Sequence, residues 1–215
     1  QQGVHLRLSA RLLRLRADVG RVAIAELDDG SVAQADVVLV GIGAVPHEAL
    51  ARQAGLACED GILVDDDACT SRPGVYAIGD CTHRPLPLYA RRQRMESVPS
   101  AMEQARQAAC HILGLPRPAP ELPWFWSDQH GHKLQIAGLS AGADQQIVRG
   151  DAQAGGFAVY HLQGRRLLAV EAFDATPDVL FGKRHATRDL PTEVIDRLRD
   201  PAVALQTLGE RLHAA

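Results

Sequence analysis

Hydrophobic and polar residues alternate near the amino end of the chain, which is typical of half-buried β-strands. The alternation covers Leu6–Leu8, Leu13–Arg16 and Val22–Leu27. Asp28-Asp29-Gly30 indicates a hairpin turn, and a return strand begins at Val32. The pattern therefore predicts an antiparallel meander in this part of the chain.

Two later runs, Val37–Gly43 and Gly74–Cys81, are apolar almost without interruption. Such runs predict strands that are buried on both faces. Gly79 has no side chain, so a ligand can approach its main chain closely. Asp80 would stand at the carboxyl end of a parallel strand, where open α/β sheets bind ligands, and its carboxylate accepts hydrogen bonds from hydroxyl groups. The alternative is a strand followed by an ordinary Asp-containing turn.

Helical signals flank a segment that is rich in proline and arginine. Glu48–Ala54 predicts a short helix, whereas His83–Arg94 predicts a loop. Ser97 followed by Val98 and Pro99 indicates the start of a helix that runs to about Leu113. We expect this helix to pack closely against a sheet through a face of small residues, namely Ala101, Ala105, Ala108 and Ala109.

Four prolines between residues 116 and 123 predict a linker, and the sequence changes character beyond it. Four strand-like runs follow, and glycines lie at the joints between them. They are Leu134–Leu139, Gln146–Arg149, Phe157–Gln163 and Leu167–Phe173. Leu190–Glu193 begins a closing helix. This part predicts a small antiparallel sheet with helices.

The composition is that of an ordinary globular protein, with 46% hydrophobic residues, 23% charged residues and a net charge of −3. This charge provides no basic surface for nucleic acid, and no apolar run reaches the roughly 18 residues of a membrane helix. The cysteines are scattered, which favours a reducing cytoplasm. They are Cys58, Cys69, Cys81 and Cys110. The histidines have no metal-site spacing.

Four segments together resemble the FAD-dependent pyridine-nucleotide oxidoreductases, in particular the NAD(P)H-dependent ferredoxin or rubredoxin reductases. They are residues 41–46, 74–81, 88–106 and 123–129. The resemblance implies an α/β plus α+β fold: the C-terminal part of a flavoprotein with two dinucleotide-binding domains, followed by a small antiparallel-sheet domain. Because neither Gly-x-Gly-x-x-Gly turn of the family is present, we expect a fragment that is inactive by itself.

The domains implied by the resemblance are the end of the NAD-binding domain at residues 1–45, the returning part of the FAD-binding domain at 46–115, and a C-terminal reductase domain at 116–215. Gly43 would lie beside a bound dinucleotide, although it also suits an ordinary strand-to-turn position. Gly79 and Asp80 would meet the ribityl chain of FAD.

The same resemblance assigns flavin contacts to Ser97 and Val98, at the positive end of a helix dipole. Glu96 would contact the nicotinamide or the flavin edge, or else be solvated or paired with Arg94. Trp126 would lie beside the flavin, although core packing is an alternative. Trp124 and Trp126 should share one face of an extended segment, and Phe125 should lie on the other.

The implied activity is electron transfer from NAD(P)H through FAD to an acidic [2Fe–2S] ferredoxin or a rubredoxin, serving an oxygenase or a cytochrome P450. No general acid, nucleophile or metal is required from these residues. A basic cluster would dock the acceptor, and its members are Arg84, Arg91, Arg92 and Arg94. The alternatives are another flavin oxidoreductase of the NADH oxidase type and a non-catalytic folding or dimerisation module.

Overall fold

The computed structural model describes residues 3–213 and divides the chain into two compact units, with the boundary in sequence between Ala44 and Val45. The first unit contains an antiparallel sheet in the order β1-β2-β3. Its strands are β1 (Leu12–Asp18), β2 (Arg21–Leu27) and β3 (Val32–Gln34). The predicted meander is confirmed, except that Leu6–Leu8 forms no strand.

The prediction of a buried strand at Val37–Gly43 is wrong. This segment has no strand pairing among the described residues, and Leu39 and Ile42 are 95% and 91% exposed. A β-strand requires a neighbour that accepts and donates its main-chain hydrogen bonds, and the described chain provides none here. An apolar run alone therefore did not define a strand.

The second unit begins with a helix and a small mixed sheet. The elements are α1 (Ala49–Gln53), β4 (Ile62–Leu63), β5 (Thr82–Leu86), β6 (Arg91–Arg94) and α2 (Val98–Ile112). Strand β4 runs parallel to β5, and β5 runs antiparallel to β6. The two predicted helices are confirmed, and Ser97 caps α2 as expected.

Two predictions in this region are wrong. Residues 83–94 were expected to be a loop, but they form most of the β5–β6 hairpin, joined by the 3₁₀ turn Pro87–Tyr89. Gly74–Cys81 is not a ladder strand, because it has only an isolated bridge between Tyr76 and Cys69. Its apolar residues are also not covered on both faces, and Ile78 is 44% exposed.

The C-terminal part is a five-stranded antiparallel sheet in the order β7-β8-β11-β10-β9. Its strands are β7 (Trp124–Gln129), β8 (His132–Gly138), β9 (Gln145–Asp151), β10 (Gly156–Gln163) and β11 (Arg166–Phe173). The helices are α3 (Thr176–His185), α4 (Thr192–Leu198) and α5 (Leu205–His213). The sheet and α4 were predicted, whereas α3 and α5 were missed.

The main hydrophobic core lies between the five-stranded sheet and helices α3, α4 and α5. Tyr160 and Val170 of the sheet pack there with Val179 and Leu198 of the helices. Residues 45–213 form one compact unit, so the boundary expected at residue 115 stays a prediction. None of the described helices is both long and apolar enough to span a bilayer.

Candidate functional site

The Gly79–Asp80 turn is bound to the amino-terminal half of α2 by a buried amide side chain. The Gly79 N–H donates a hydrogen bond of 2.5 Å to Oε1 of Gln104. The Gln104 amide nitrogen donates to the Thr82 hydroxyl at 2.8 Å, and this hydroxyl donates to the Gly79 carbonyl at 2.8 Å. A Cβ added to Gly79 would lie 3.9 Å from the Cβ of Ala101. The turn and the start of the helix therefore converge.

The first turn of α2 leaves one main-chain donor available. Ser97 Oγ accepts a hydrogen bond from the Ser100 N–H at 3.3 Å, and the Ser97 carbonyl accepts one from Ala101. Pro99 has no N–H, so the Val98 N–H is the remaining donor, and no described residue accepts from it. This N–H lies at the positive end of the helix dipole, which favours an acceptor that carries negative charge.

Asp80 is exposed next to this helix end, but it does not end a parallel strand as predicted. Gly79 has a φ of +82°, and its carbonyl accepts from the Thr82 N–H at 3.1 Å, which closes a turn before β5 begins. The Asp80 carboxylate makes no hydrogen bond or ion pair with any residue between 3 and 213. It is therefore free to accept hydrogen bonds from hydroxyl groups of a ligand.

The face of α2 that packs inward is polar, which corrects the prediction of an alanine face. Its buried members are Ser100, Glu103, Gln104, Gln107 and Ala108. Ala105 and Ala109 are exposed instead. Polar groups can be buried in this way because each one finds a hydrogen-bond partner.

A buried ion pair forms the centre of that interface. Arg84 of β5 donates to Glu103 Oε2 at 2.7 Å and to the Ser100 hydroxyl at 3.2 Å. The other Glu103 oxygen accepts from the Glu121 N–H at 2.9 Å. The ion pair therefore holds α2 both to the small sheet and to the segment that leads into β7.

The tryptophan segment forms β7, and α2 packs against it. The rings of Trp124 and Trp126 lie on one face and stack, with centroids 5.0 Å apart. Lys183 of α3 places its ammonium 3.3 Å from the ring centroid of Trp124. Burial lowers the pKa of Lys183. Trp126 remains 38% exposed, so one surface of the stack is accessible.

The predicted basic cluster separates into different environments. Arg84 is buried in its ion pair and cannot reach a partner at the surface. Arg94 pairs with Asp60 and with Glu96, and the hydrogen bond that Arg94 donates to Glu96 raises the pKa of Arg94. The pairing of Glu96 with Arg94 is the alternative that the sequence left open.

The two remaining arginines of this cluster carry charge that no carboxylate of the described chain neutralises. Arg92 is exposed and donates to the carbonyl groups of Val64 and His83. Arg91 lies on the same strand, with its Cζ atom 6.0 Å from the ring centroid of Tyr89.

Gly43 belongs to the first unit. It has a φ of +103°, and no atom lies within 4 Å of the position that a Cβ would take. The backbone conformation therefore requires glycine whether or not a ligand is present.

Sequence reasoning missed Gln104, Thr82 and the Arg84–Glu103 pair. A signal was available, because residues 100, 103, 104 and 107 have the spacing of one helix face and all are polar. It also missed Lys183. Helix α3 carries a proline in its first turn and three basic residues in its last, which is a typical pattern for a helix.

Comparison with known proteins gives matches along most of the chain. The model of the pyridine nucleotide-disulphide oxidoreductases matches residues 1–105, and the model of the reductase C-terminal domain matches residues 124–209. The probable ferredoxin reductase CtmF of Castellaniella defragrans is 43% identical over 97% of this chain and 51% of its own length.

Putidaredoxin reductase CamA of Pseudomonas putida is 37% identical over 97% of this chain and 50% of its own length. The crystal structure of the covalent putidaredoxin reductase–putidaredoxin complex superposes with a TM-score of 0.91 at 36% identity, over 97% of this chain and 50% of that one.

The chain therefore belongs to the pyridine nucleotide-disulphide oxidoreductases and contains the reductase C-terminal domain. It spans about half the length of the curated relatives it matches. The resemblance to ferredoxin reductases and the predicted fold class are confirmed.

Proposed function

We propose that this chain supplies the flavin-contacting turn, the flavin-facing helix end and the C-terminal domain of a reductase that passes electrons from NAD(P)H through FAD to a small iron–sulfur or rubredoxin acceptor. The observation that carries the proposal is the junction of the Gly79–Asp80 turn with the start of α2 through Gln104. It brings a free carboxylate and a free N–H to one region of the surface.

The available groups fit an FAD molecule. The Asp80 carboxylate is an acceptor for a ribityl hydroxyl, and Gly79 lets the ligand approach the main chain. The Val98 N–H, next to Ser97, is a donor for the pyrimidine edge of the flavin ring. The helix dipole would stabilise negative charge there and so raise the reduction potential.

When bound, FAD accepts a hydride from NAD(P)H and can release electrons one at a time. The residues of this chain hold and orient the cofactor. Trp126 would cover one side of the flavin, since its ring is fixed by the stack on Trp124 and retains an accessible surface. Glu96 would lie at the flavin edge, restrained by Arg94. Gly43 would lie beside the bound dinucleotide.

The relatives are named for ferredoxins, and one solved structure contains putidaredoxin bound to its reductase. We therefore propose an acidic [2Fe–2S] ferredoxin or a rubredoxin as the acceptor. Of the basic cluster, Arg91 and Arg92 are the members whose charge could steer an acidic partner, because Arg84 and Arg94 already pair with carboxylates. We expect such a reductase to work in the cytoplasm, where NAD(P)H is available.

The test uses the chain extended to the full length of its relatives. We expect FAD to co-purify, NAD(P)H to reduce it, and electron transfer to cytochrome c to depend on added ferredoxin. Asp80→Ala should weaken FAD retention, whereas Asp128→Ala, on the exposed part of β7, should retain it. Rapid NAD(P)H oxidation by oxygen alone, without stimulation by any ferredoxin, would instead indicate an NADH oxidase. Absence of flavin from the folded protein would refute the proposal.

A further inference from the structure

A cavity of about 230 Å³ lies where the 3₁₀ turn Pro87–Tyr89 and β6 meet the C-terminal sheet. Its polar lining consists of Arg91, Gln163, Arg166 and Tyr89. No aspartate or glutamate is among the described residues that line it. The cavity is therefore positively charged.

The guanidinium of Arg91 lacks an acceptor inside this cavity wall. Its Nε atom is buried, and no residue between 3 and 213 accepts a hydrogen bond from it. Buried polar groups in folded proteins are seldom left in this state, above all when they belong to a charged group. An oxyanion in the cavity would bind this guanidinium through its N–H groups that are not buried, and would compensate its charge.

Arg166 supplies the second cation. It donates to the Leu88 carbonyl at 2.9 Å, which fixes the guanidinium but leaves its charge in place. Neither Arg91 nor Arg166 forms an ion pair with any described carboxylate. Other arginines of this unit do form such pairs, among them Arg84, Arg94, Arg106 and Arg117.

The walls of the cavity are held in place by hydrogen bonds that the ligand need not form. The Tyr89 hydroxyl donates to the Leu168 carbonyl at 2.8 Å and accepts from the Leu139 N–H at 3.1 Å. Burial raises the pKa of Tyr89, so the phenol stays neutral and keeps both bonds. A Cβ on Gly138 would lie only 2.6 Å from the Tyr89 hydroxyl oxygen, so this position of the Tyr89 side chain requires glycine at residue 138. Preformed walls lower the entropic cost of binding.

We propose that this cavity binds a small free oxyanion of the size of phosphate or sulfate, between the guanidinium groups of Arg91 and Arg166. Guanidinium groups match oxyanions because their N–H donors are arranged in a fixed planar fork. The volume is smaller than the roughly 300–1,000 Å³ of typical small-molecule sites, so a dinucleotide is excluded. The site is separate from the flavin-contacting groups, and it does not depend on the proposed function.

The experiment measures binding of inorganic phosphate and of sulfate to the chain by titration calorimetry and by thermal unfolding. Chloride at matched ionic strength is the control, because it reproduces screening without an oxyanion. No ferredoxin is present, since Arg91 also belongs to the proposed docking surface. We expect saturable binding of one anion, weakened at least about tenfold by Arg91→Gln and by Arg166→Gln.

Arg165→Gln is the matched control, because Arg165 is the exposed neighbour of Arg166 and does not line the cavity. It should bind like the unaltered chain. If Arg91→Gln proves unfolded by circular dichroism, Arg91→Lys replaces it; this change keeps the charge but loses the fork, and it should also weaken binding. The proposal would be overturned if the Arg91 and Arg166 variants bound the anion as tightly as the unaltered chain. It would also be overturned if phosphate and sulfate stabilised the chain no more than chloride does.

Discussion

The Gln104 side-chain oxygen accepts a hydrogen bond from the Gly79 N–H at 2.5 Å, across 25 positions of sequence. Gln104 is 1% exposed, and its amide nitrogen is also bound, to Thr82. One side chain thus fixes the distance between the turn that carries Asp80 and the helix end that carries Val98. If both ends contact flavin as proposed, Gln104 acts as a positioning residue.

Replacing Gln104 by Leu should leave the Gly79 N–H buried without an acceptor. An unsatisfied buried donor costs about 1–3 kcal/mol, and we expect a loss of this size in the free energy of unfolding. Denaturant titration of the chain measures it. In the full-length protein the same variant should retain less FAD, which is measured from flavin absorbance after gel filtration.

Met102→Leu is the control for that experiment, because Met102 is on the same helix and exposed. It should change stability by less than about 0.5 kcal/mol and leave FAD retention unaltered. If the Gln104 variant is less stable but retains as much FAD as the unaltered full-length protein, the positioning role is contradicted.

The buried Arg84–Glu103 pair should contribute far more than the surface pairs. Glu103→Gln leaves the Arg84 charge buried and unneutralised, so we expect a loss of about 3–5 kcal/mol. Glu121→Gln breaks the exposed pair with Arg106 and should cost at most about 1 kcal/mol. Denaturant unfolding curves compare the two variants directly, and similar losses would show that the burial of Arg84 and Glu103 has no energetic consequence.

Reversal of the two unneutralised charges of β6 tests docking. In the full-length protein, Arg91→Glu together with Arg92→Glu should slow ferredoxin reduction at low salt, because long-range attraction to an acidic partner is lost. Reduction of a small neutral dye should be unaffected. Arg199→Glu, on an exposed residue after α4, is the control for a charge reversal elsewhere on the chain. Equal losses with ferredoxin and with dye would contradict a docking role.

Asp174 should produce a defined acid sensitivity. The Lys133 N–H and the His132 ring bind its carboxylate and lower the pKa of Asp174 from its ordinary value of 3.8. A carboxyl group whose pKa is lower in the folded state than in the unfolded state stabilises the fold at pH values above its unfolded-state pKa. This contribution disappears as the pH falls below about 3.8 and through the folded value.

Asp174→Asn should therefore flatten the acid side of the stability profile, measured by thermal unfolding between neutral and strongly acidic pH. Asp128→Asn, on the β7–β8 hairpin that also carries His132 and Lys133, is the control and should keep the acid dependence of the unaltered chain. A profile for Asp174→Asn with the original slope would contradict this assignment.

The C-terminal sheet and helix α2 could be predicted from the sequence because their signals are local. The apolar run Phe157–Gln163 and the Ser97-Val98-Pro99 helix start are each signals that lie within a few consecutive residues. That Trp124 and Trp126 share one face also followed from strand alternation alone, whereas the stacking of their rings was not predicted.

The remaining features depend on partners that are distant in sequence. Whether Val37–Gly43 forms a strand is decided by a neighbouring strand, and β5 became a strand because β4 and β6 pair with it. The polar interior of α2 also escaped prediction, since the partner of Glu103 lies 19 positions away at Arg84. Hydrophobic patterning has no means of showing such a pairing.

Because the inner face of α2 is polar, the rotation of this helix about its axis is specified more tightly than packing of apolar side chains alone would allow. Apolar contact is nearly indifferent to direction, whereas a hydrogen bond weakens steeply when donor and acceptor turn away from each other. Rotation of the helix by one residue would remove the hydrogen-bond partners of both the Glu103 carboxylate and the Gln104 amide. The direction of the free Val98 N–H is therefore set by the buried side chains of Glu103 and Gln104, which need not contact a ligand.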